Sequence, residues 1–101
     1  SGANFAWYRV TSVAPKFRPV QINYSLAGLS KEQKLNTIRN LVSQGYYVVA
    51  EVKGNTGQHW VAIDNVTGNT INMMDPGSSS TNMWAQYNWQ NTSVISYFSV
   101  S

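Results

Sequence analysis

Two neighbouring strand-like segments, joined by a short turn, constrain the fold of this chain more than any other feature. Residues 58–64 and 70–74 are rich in β-branched and other apolar residues, and the Thr-Gly-Asn between them is typical of turns. We therefore expect an antiparallel hairpin. It carries His59, the single histidine of the chain, near the start of its first segment, and Asp75 directly follows its second segment.

The pairing register of this hairpin decides whether His59 and Asp75 meet. A three-residue loop at residues 67–69 pairs Ile63 with Met73 and places His59 diagonal to Asp75 on the same face. A two-residue loop formed by the Gly-Asn pair shifts the pairing by one residue and sends Asp75 to the opposite face. We favour the three-residue loop because it gathers four apolar residues on one face. These residues are Val61, Ile63, Ile71 and Met73.

A histidine held by a carboxylate is suited to proton transfer near neutral pH. The acid fixes the tautomer of the imidazole and stabilises the imidazolium that forms when the base activates a nucleophile. The chain contains no cysteine, so a cysteine-type site needs a thiol from outside these 101 residues. The serines at 78–80 offer hydroxyl groups, but a flexible loop supports a nucleophile poorly, and a serine triad is the weaker alternative.

Each candidate residue also has a structural interpretation. His59 is then a histidine that ends a strand. Asp75 is then a turn former before Pro76 and Gly77, where aspartate commonly bonds its own backbone. Trp60 alternates with His59 along the strand, so we expect it on the other face and in the core.

The order of these elements resembles the second half of a papain-like cysteine peptidase domain, in particular the group related to bacteriocin-leader peptidases. The resemblance covers roughly residues 30–100: a helix ending at Gly45, a strand at 46–52, a polar loop, the His-Trp-Val strand and a strand ending in Asp-Pro. It implies that His59 is the catalytic base and that Asp75 orients it. In that family the catalytic cysteine opens a helix upstream, after an oxyanion-hole glutamine. Neither has a counterpart here, because residues 1–29 contain no Gly-Cys-Gly-like helix start, and we expect that part to precede this chain.

The resemblance implies the C-terminal portion of a thiol peptidase or amidase that acts on peptides and is inactive alone. Cell-wall cross-bridges are expected substrates if the parent is a bacterial or phage lytic protein. Charged residues make up only 11% of the chain, while amide and hydroxyl side chains are abundant. This balance favours an extracellular, cell-surface or phage-particle protein. The alternative is a non-catalytic module on the same fold that binds cell-wall peptides or glycans through its four tryptophans and six tyrosines, although such aromatics more commonly form the core.

Composition excludes several other functions. The net charge of +3 comes from scattered basic residues, so we expect no nucleic-acid partner. The absence of cysteine, together with one histidine and four dispersed acids, predicts no metal site, and no cofactor is expected. No apolar run approaches the length of a membrane span. We expect a single domain or domain fragment over residues 1–101, with an N-terminal segment at 1–29 and a helix plus sheet at 30–101.

Local signals predict the remaining elements of an α+β fold, an antiparallel sheet with one packed helix. Ser30 and Gln33 form a capping box, and Gly45 ends the helix. Apolar residues recur on one face of this helix: Leu35, Ile38, Leu41 and Val42.

The strands follow from apolar runs. Residues 46–52 are nearly continuous in apolar character and predict a central strand. Residues 20–24 alternate as a short half-buried strand does, and residues 93–100 predict the last strand. At 4–13 we expect a strand or the remnant of an interrupted element. We also expect a flexible loop at 53–57 that forms one rim of a cleft beside His59, and a short irregular or helical piece containing Trp84, Tyr87 and Trp89.

Overall fold

Apolar runs along the chain form the strands of one antiparallel sheet. The computed structural model describes residues 17–54 and 57–100. Within these ranges the elements are β1 (Phe17–Ser25), α1 (Lys31–Ser43), β2 (Tyr47–Gly54), β3 (Gly57–Thr67), β4 (Thr70–Met74), α2 (Met83–Gln86), a 3₁₀-helical turn (Trp89–Asn91) and β5 (Val94–Val100). The strand order is β1-β5-β2-β3-β4. The predicted α+β class is confirmed, and the possible strand at 4–13 lies outside the described residues.

Helix α1 begins and ends where its sequence signals predict. The Ser30 hydroxyl accepts from the Gln33 amide at 3.1 Å, and the Gln33 side chain accepts from the Ser30 amide at 2.9 Å. Gly45 has a φ of 90°, and the Tyr46 amide donates to the Leu41 carbonyl at 3.1 Å, which is the pattern of a Schellman stop. Leu35 and Ile38 are buried, as predicted. No helix in the described ranges has the length and apolar character needed to cross a membrane.

The two faces of the sheet carry separate apolar clusters. Helix α1 packs on the face that holds Val48, Ala50, Val52, Val61, Ile63, Ile71, Met73 and Ile95. The predicted grouping of the four hairpin residues is therefore confirmed. Trp60 lies on the other face with Val49 and Phe98, also as predicted. Strand β2 is central, between β5 and β3.

Strand β1 differs from the prediction in its burial. The half-buried strand expected at 20–24 is the middle of a longer strand whose residues after Phe17 are exposed. The reason is its position, because β1 lies at the edge of the sheet and pairs with β5. Its pairing is interrupted by register shifts, and Asn23 has a φ of 57°.

The turn of the β3–β4 hairpin also differs from the prediction. Thr67 pairs with Thr70, so the loop has two residues rather than three. Gly68 has a φ of 58°, the positive value that a type II′ turn needs at its first central position. The Arg39 guanidinium donates to the Gly68 carbonyl at 2.6 Å, so helix α1 holds this turn.

A bulge in β3 restores the predicted register nearer the open end of the hairpin. Val66 pairs with Ile71 beside the turn, whereas Ile63 pairs with Met73, and the pairing shifts between these positions. Asp64 is the extra residue that absorbs the shift. The two-residue turn and the predicted pairing of Ile63 with Met73 therefore exist in the same hairpin.

The loop predicted at 53–57 is shorter than expected. Strand β2 continues to Gly54 and β3 starts at Gly57, and these two glycines pair with each other. Residues 55 and 56 lie outside the described ranges. His59 pairs with Val52, and the pairing of β2 with β3 continues beyond it through Lys53 and Gln58. His59 is thus held inside a paired region of the sheet.

Replacing Ser30 with alanine should lower the free energy of unfolding by about 1–2 kcal/mol, because one substitution removes the hydroxyl acceptor of the capping box. Urea unfolding followed by circular dichroism measures the change. Ser79→Ala, in an exposed loop, is the matched control and should leave the midpoint unchanged. Equal midpoints for the two variants would contradict the role assigned to the cap.

Candidate active site

The structure brings His59 and Asp75 into direct contact. His59 lies in β3, and Asp75 directly follows β4, the strand that pairs with β3. His59 Nε2 and Asp75 Oδ1 are 2.5 Å apart. Because an ionised carboxylate only accepts hydrogen bonds, Nε2 is the donor and carries the proton. Their contact agrees with the diagonal placement expected from the Ile63–Met73 pairing.

The Asp75 carboxylate has donors on both of its oxygens. Oδ1 also accepts from the Gly77 amide at 2.8 Å, and Oδ2 accepts from the Tyr87 hydroxyl. The Asp75 side chain is 0% exposed, whereas that of His59 is 26% exposed. Burial of a charged group is tolerated when its hydrogen-bonding capacity is met. The acid is therefore enclosed while the imidazole reaches the surface.

These contacts set the protonation of the acid. Burial alone would raise the pKa of the Asp75 carboxyl. The hydrogen bonds from Tyr87, His59 and the Gly77 amide, together with the charge of the imidazole, outweigh burial and hold this pKa below its ordinary value. Burial, followed by the hydrogen bond and the negative charge of Asp75, raises the pKa of Tyr87 to about 12. At neutral pH the pair is therefore a phenol donating to a carboxylate.

The turn after Asp75 packs closely against the pair. A Cβ atom at Gly77 would lie 3.4 Å from both His59 Nε2 and Asp75 Oδ1. The turn backbone therefore covers the hydrogen bond between them. Part of the structural interpretation of Asp75 also holds, because its side chain does bond the turn amide. The same carboxylate oxygen serves the turn and the histidine.

The second ring nitrogen of His59, Nδ1, makes no hydrogen bond to the described residues. Within residues 17–54 and 57–100, the His59 ring makes one hydrogen bond, from Nε2 to Asp75. A neutral imidazole with its proton on Nε2 has an unprotonated acceptor at Nδ1. The His59 side chain is partly exposed, and an unprotonated Nδ1 takes a proton from a donor that reaches it. A general base and its orienting acid use the same pairing of imidazole and carboxylate.

The nearby serines do not complete a triad. Ser78 Oγ accepts from the Ser80 amide at 3.0 Å, and the Ser78 amide donates to the Asp75 carbonyl at 3.2 Å. Among the described residues no serine hydroxyl is hydrogen-bonded to His59. These serines build the turn after β4.

Tyr87 is the site residue that sequence reasoning missed. It follows α2, in the segment expected to be irregular or helical, 12 positions after Asp75 along the chain. No local pattern in the sequence marks it, because the segment returns to the site through tertiary contacts. The Met73 amide donates to the Thr81 carbonyl at 2.8 Å, and Asn72 forms an isolated bridge with Asn82.

Other kinds of site find little support in the described part of the chain. Residues 17–54 and 57–100 contain no group of three or more His, Cys, Asp or Glu side chains placed to hold a metal ion. Their aromatic side chains are buried or half-buried, with Tyr24 as the exposed exception. An exposed cluster of aromatic rings, which a glycan-binding surface would use, is not formed by these residues.

Comparisons of this protein with protein-family models, with curated proteins and with solved structures found no match. The resemblance to papain-like peptidases and the catalytic roles of His59 and Asp75 thus stay predictions.

Proposed function

We propose that this chain supplies the general base and the orienting acid of a thiol hydrolase, whose nucleophilic cysteine lies outside these 101 residues. The observation that carries the proposal is the direct bond between His59 Nε2 and the enclosed Asp75 carboxylate. It fixes one tautomer of the imidazole and leaves Nδ1 as the proton acceptor. Titratable groups with a perturbed pKa and a specific charge partner are enriched at functional sites, and Asp75 combines a lowered pKa with its contact to His59.

The proposed reaction is transfer of an acyl group. His59 Nδ1 takes the proton of the cysteine thiol, and the thiolate attacks the carbonyl carbon of an amide. Asp75 stabilises the imidazolium. The protonated Nδ1 then gives its proton to the departing amine, so that the C–N bond breaks and a thioester forms. Water, deprotonated by His59, releases the acid and regenerates the thiol.

Peptides are the proposed substrates, including the cross-bridges of a bacterial cell wall, and the protein is proposed to act outside the cell or on a phage particle. Support for a peptide substrate comes from the resemblance of residues 30–100 to leader peptidases. Support for the location comes from the low charge and abundant amide and hydroxyl side chains of the sequence.

The testing experiment starts from the gene upstream of the codon for Ser1. The expected finding is a cysteine that opens a helix, with a glutamine several residues before it. The protein that includes both should cleave peptide amides, and iodoacetamide should alkylate this cysteine and abolish cleavage at about pH 5.5, where an ordinary thiol is protonated and unreactive. Absence of any upstream cysteine, or alkylation only above about pH 8, would contradict the proposal and favour a binding module.

A further inference from the structure

We infer that Tyr87 is a positioning residue of this site: its hydroxyl holds Asp75 Oδ2 and thereby fixes the carboxylate rotation that presents Oδ1 to His59. The catalytic meaning of this inference rests on the proposed thiol hydrolase. The positioning itself is a property of the described chain and is testable without substrate.

The terminal torsion of aspartate is broad, so packing alone defines its carboxylate orientation poorly. Here Oδ1 is shared by His59 Nε2 and the Gly77 amide, while Oδ2 receives the Tyr87 hydroxyl. Three donors from β3, the turn after β4 and the segment after α2 therefore allow one orientation. Removal of the tyrosine hydroxyl removes the hydrogen bond at Oδ2 and leaves only the two donors at Oδ1.

Tyr87 can act as a fixed point because its own segment is anchored at two places. Its amide donates to the Met83 carbonyl at 2.8 Å, and the Met83 side chain is fully buried. On the other side, the buried Lys34 of α1 donates from Nζ to the Trp89 carbonyl at 3.3 Å and lies 5.2 Å from the centre of the Trp89 ring. This contact ties the 3₁₀-helical turn to the main helix.

The Tyr87 ring also flanks the imidazole. The ring centres of Tyr87 and His59 are 5.9 Å apart, with an angle of 48° between the planes. Tyr87 therefore has two separable roles, contact through its ring and hydrogen bonding through its hydroxyl. Replacement by phenylalanine keeps the ring and removes the hydroxyl, so this variant isolates the second role.

The test is Tyr87→Phe in the 101-residue chain, followed by carbon-13 NMR of the aspartate carboxyl carbons as the pH is varied. We expect the titration midpoint of Asp75 to move upward, because a donor that lowers the pKa of this carboxyl is lost. The Nε2 proton of His59 should also exchange faster with water. The carboxyl carbon signal of Asp64, which lies outside the site, is the internal reference for the titration of Asp75. In a protein that carries the nucleophile, kcat should fall by about tenfold with KM unchanged.

Tyr46→Phe is the matched control. Tyr46 precedes β2, at the opposite end of that strand from the residue that pairs with His59, and its ring packs on Tyr97. Loss of its hydroxyl should leave the titration of Asp75 and the exchange of the His59 proton unchanged. A merely structural effect of removing a tyrosine hydroxyl would appear in both variants.

An unshifted Asp75 midpoint and an unchanged His59 proton in folded Tyr87→Phe would overturn the inference. If this variant does not fold, the unaltered chain gives a second measurement. The carbon-13 signal of Tyr87 Cζ should report a phenol pKa of about 12. A midpoint at the ordinary tyrosine value would overturn it equally. Failure of the thiol hydrolase proposal shows itself instead in the absence of a reactive cysteine, and that result leaves the NMR outcome unaffected.

Discussion

A His59→Ala variant of the cysteine-bearing protein should lose turnover by about 10⁴-fold or more. The imidazole performs two proton transfers in the proposed reaction, from the thiol and to the departing amine, and alanine can perform neither. The remaining rate comes from substrate binding and from stabilisation of the oxyanion. Steady-state cleavage of a peptide substrate measures the loss, and iodoacetamide alkylation at about pH 5.5 should become slow in parallel.

Gln58→Ala is the matched control for this variant. Gln58 is the neighbour of His59 in β3, it is exposed, and successive residues of a strand point to opposite faces. Its replacement should leave turnover within about twofold, which is within the usual range of a surface substitution. Full activity in a folded His59→Ala protein would remove the base from the mechanism and with it the proposed function.

Local signals predicted much of the fold. Helix α1 carries its start at Ser30, its stop at Gly45 and its apolar face within 16 residues, and both of its ends are formed by contacts between near neighbours. The position of β2 followed from its nearly continuous apolar run, because only a strand covered on both faces gains from such a composition. Signals of this kind need no knowledge of the rest of the molecule.

Long-range contacts explain what could not be predicted. The two-residue turn at Gly68 is held by Arg39 from helix α1, and the bulge at Asp64 reconciles that turn with the apolar pairing further along the hairpin. The two registers expected from the sequence each kept one pairing along the whole hairpin, so neither of them contained a bulge. Tyr87 reaches Asp75 through a returning loop, and the exposure of β1 depends on its place at the sheet edge. The Gly-Asn pair is a local signal for the two-residue turn, but the bulge, the Tyr87 contact and the edge position of β1 have no signature in neighbouring residues.

An Asp75→Asn variant should lower turnover on the order of 10⁴-fold while the protein remains folded. If the asparagine oxygen faces His59, the imidazole keeps its tautomer but loses the anion that stabilises its protonated form. If the amide group faces His59 instead, it competes for the same position as the Nε2 proton. The proton is then driven to Nδ1, so the base is no longer available. Tyr87 accommodates either orientation, because a hydroxyl both donates and accepts, whereas the Gly77 amide favours the orientation with the asparagine oxygen at Oδ1.

The same substitution should change how stability depends on pH. The pKa of Asp75 is lowered in the folded protein, so its carboxylate contributes stability that is present above the unfolded value of 3.8 and is lost as the pH falls through the lower folded value. At pH 7 we expect Asp75→Asn to cost about 1–3 kcal/mol in the free energy of unfolding. The difference from the unaltered chain should shrink as the pH falls below about 4.

Urea unfolding at a series of pH values measures this difference, with Asp64→Asn as the control. Asp64 is exposed and lies in the bulge of β3, so its replacement removes the same charge without touching the site. A pH-independent cost for Asp75→Asn would mean that the carboxylate acts through its shape and not its charge. Because stabilising an imidazolium requires the charge, that outcome would also contradict the role of Asp75 in the proposed reaction.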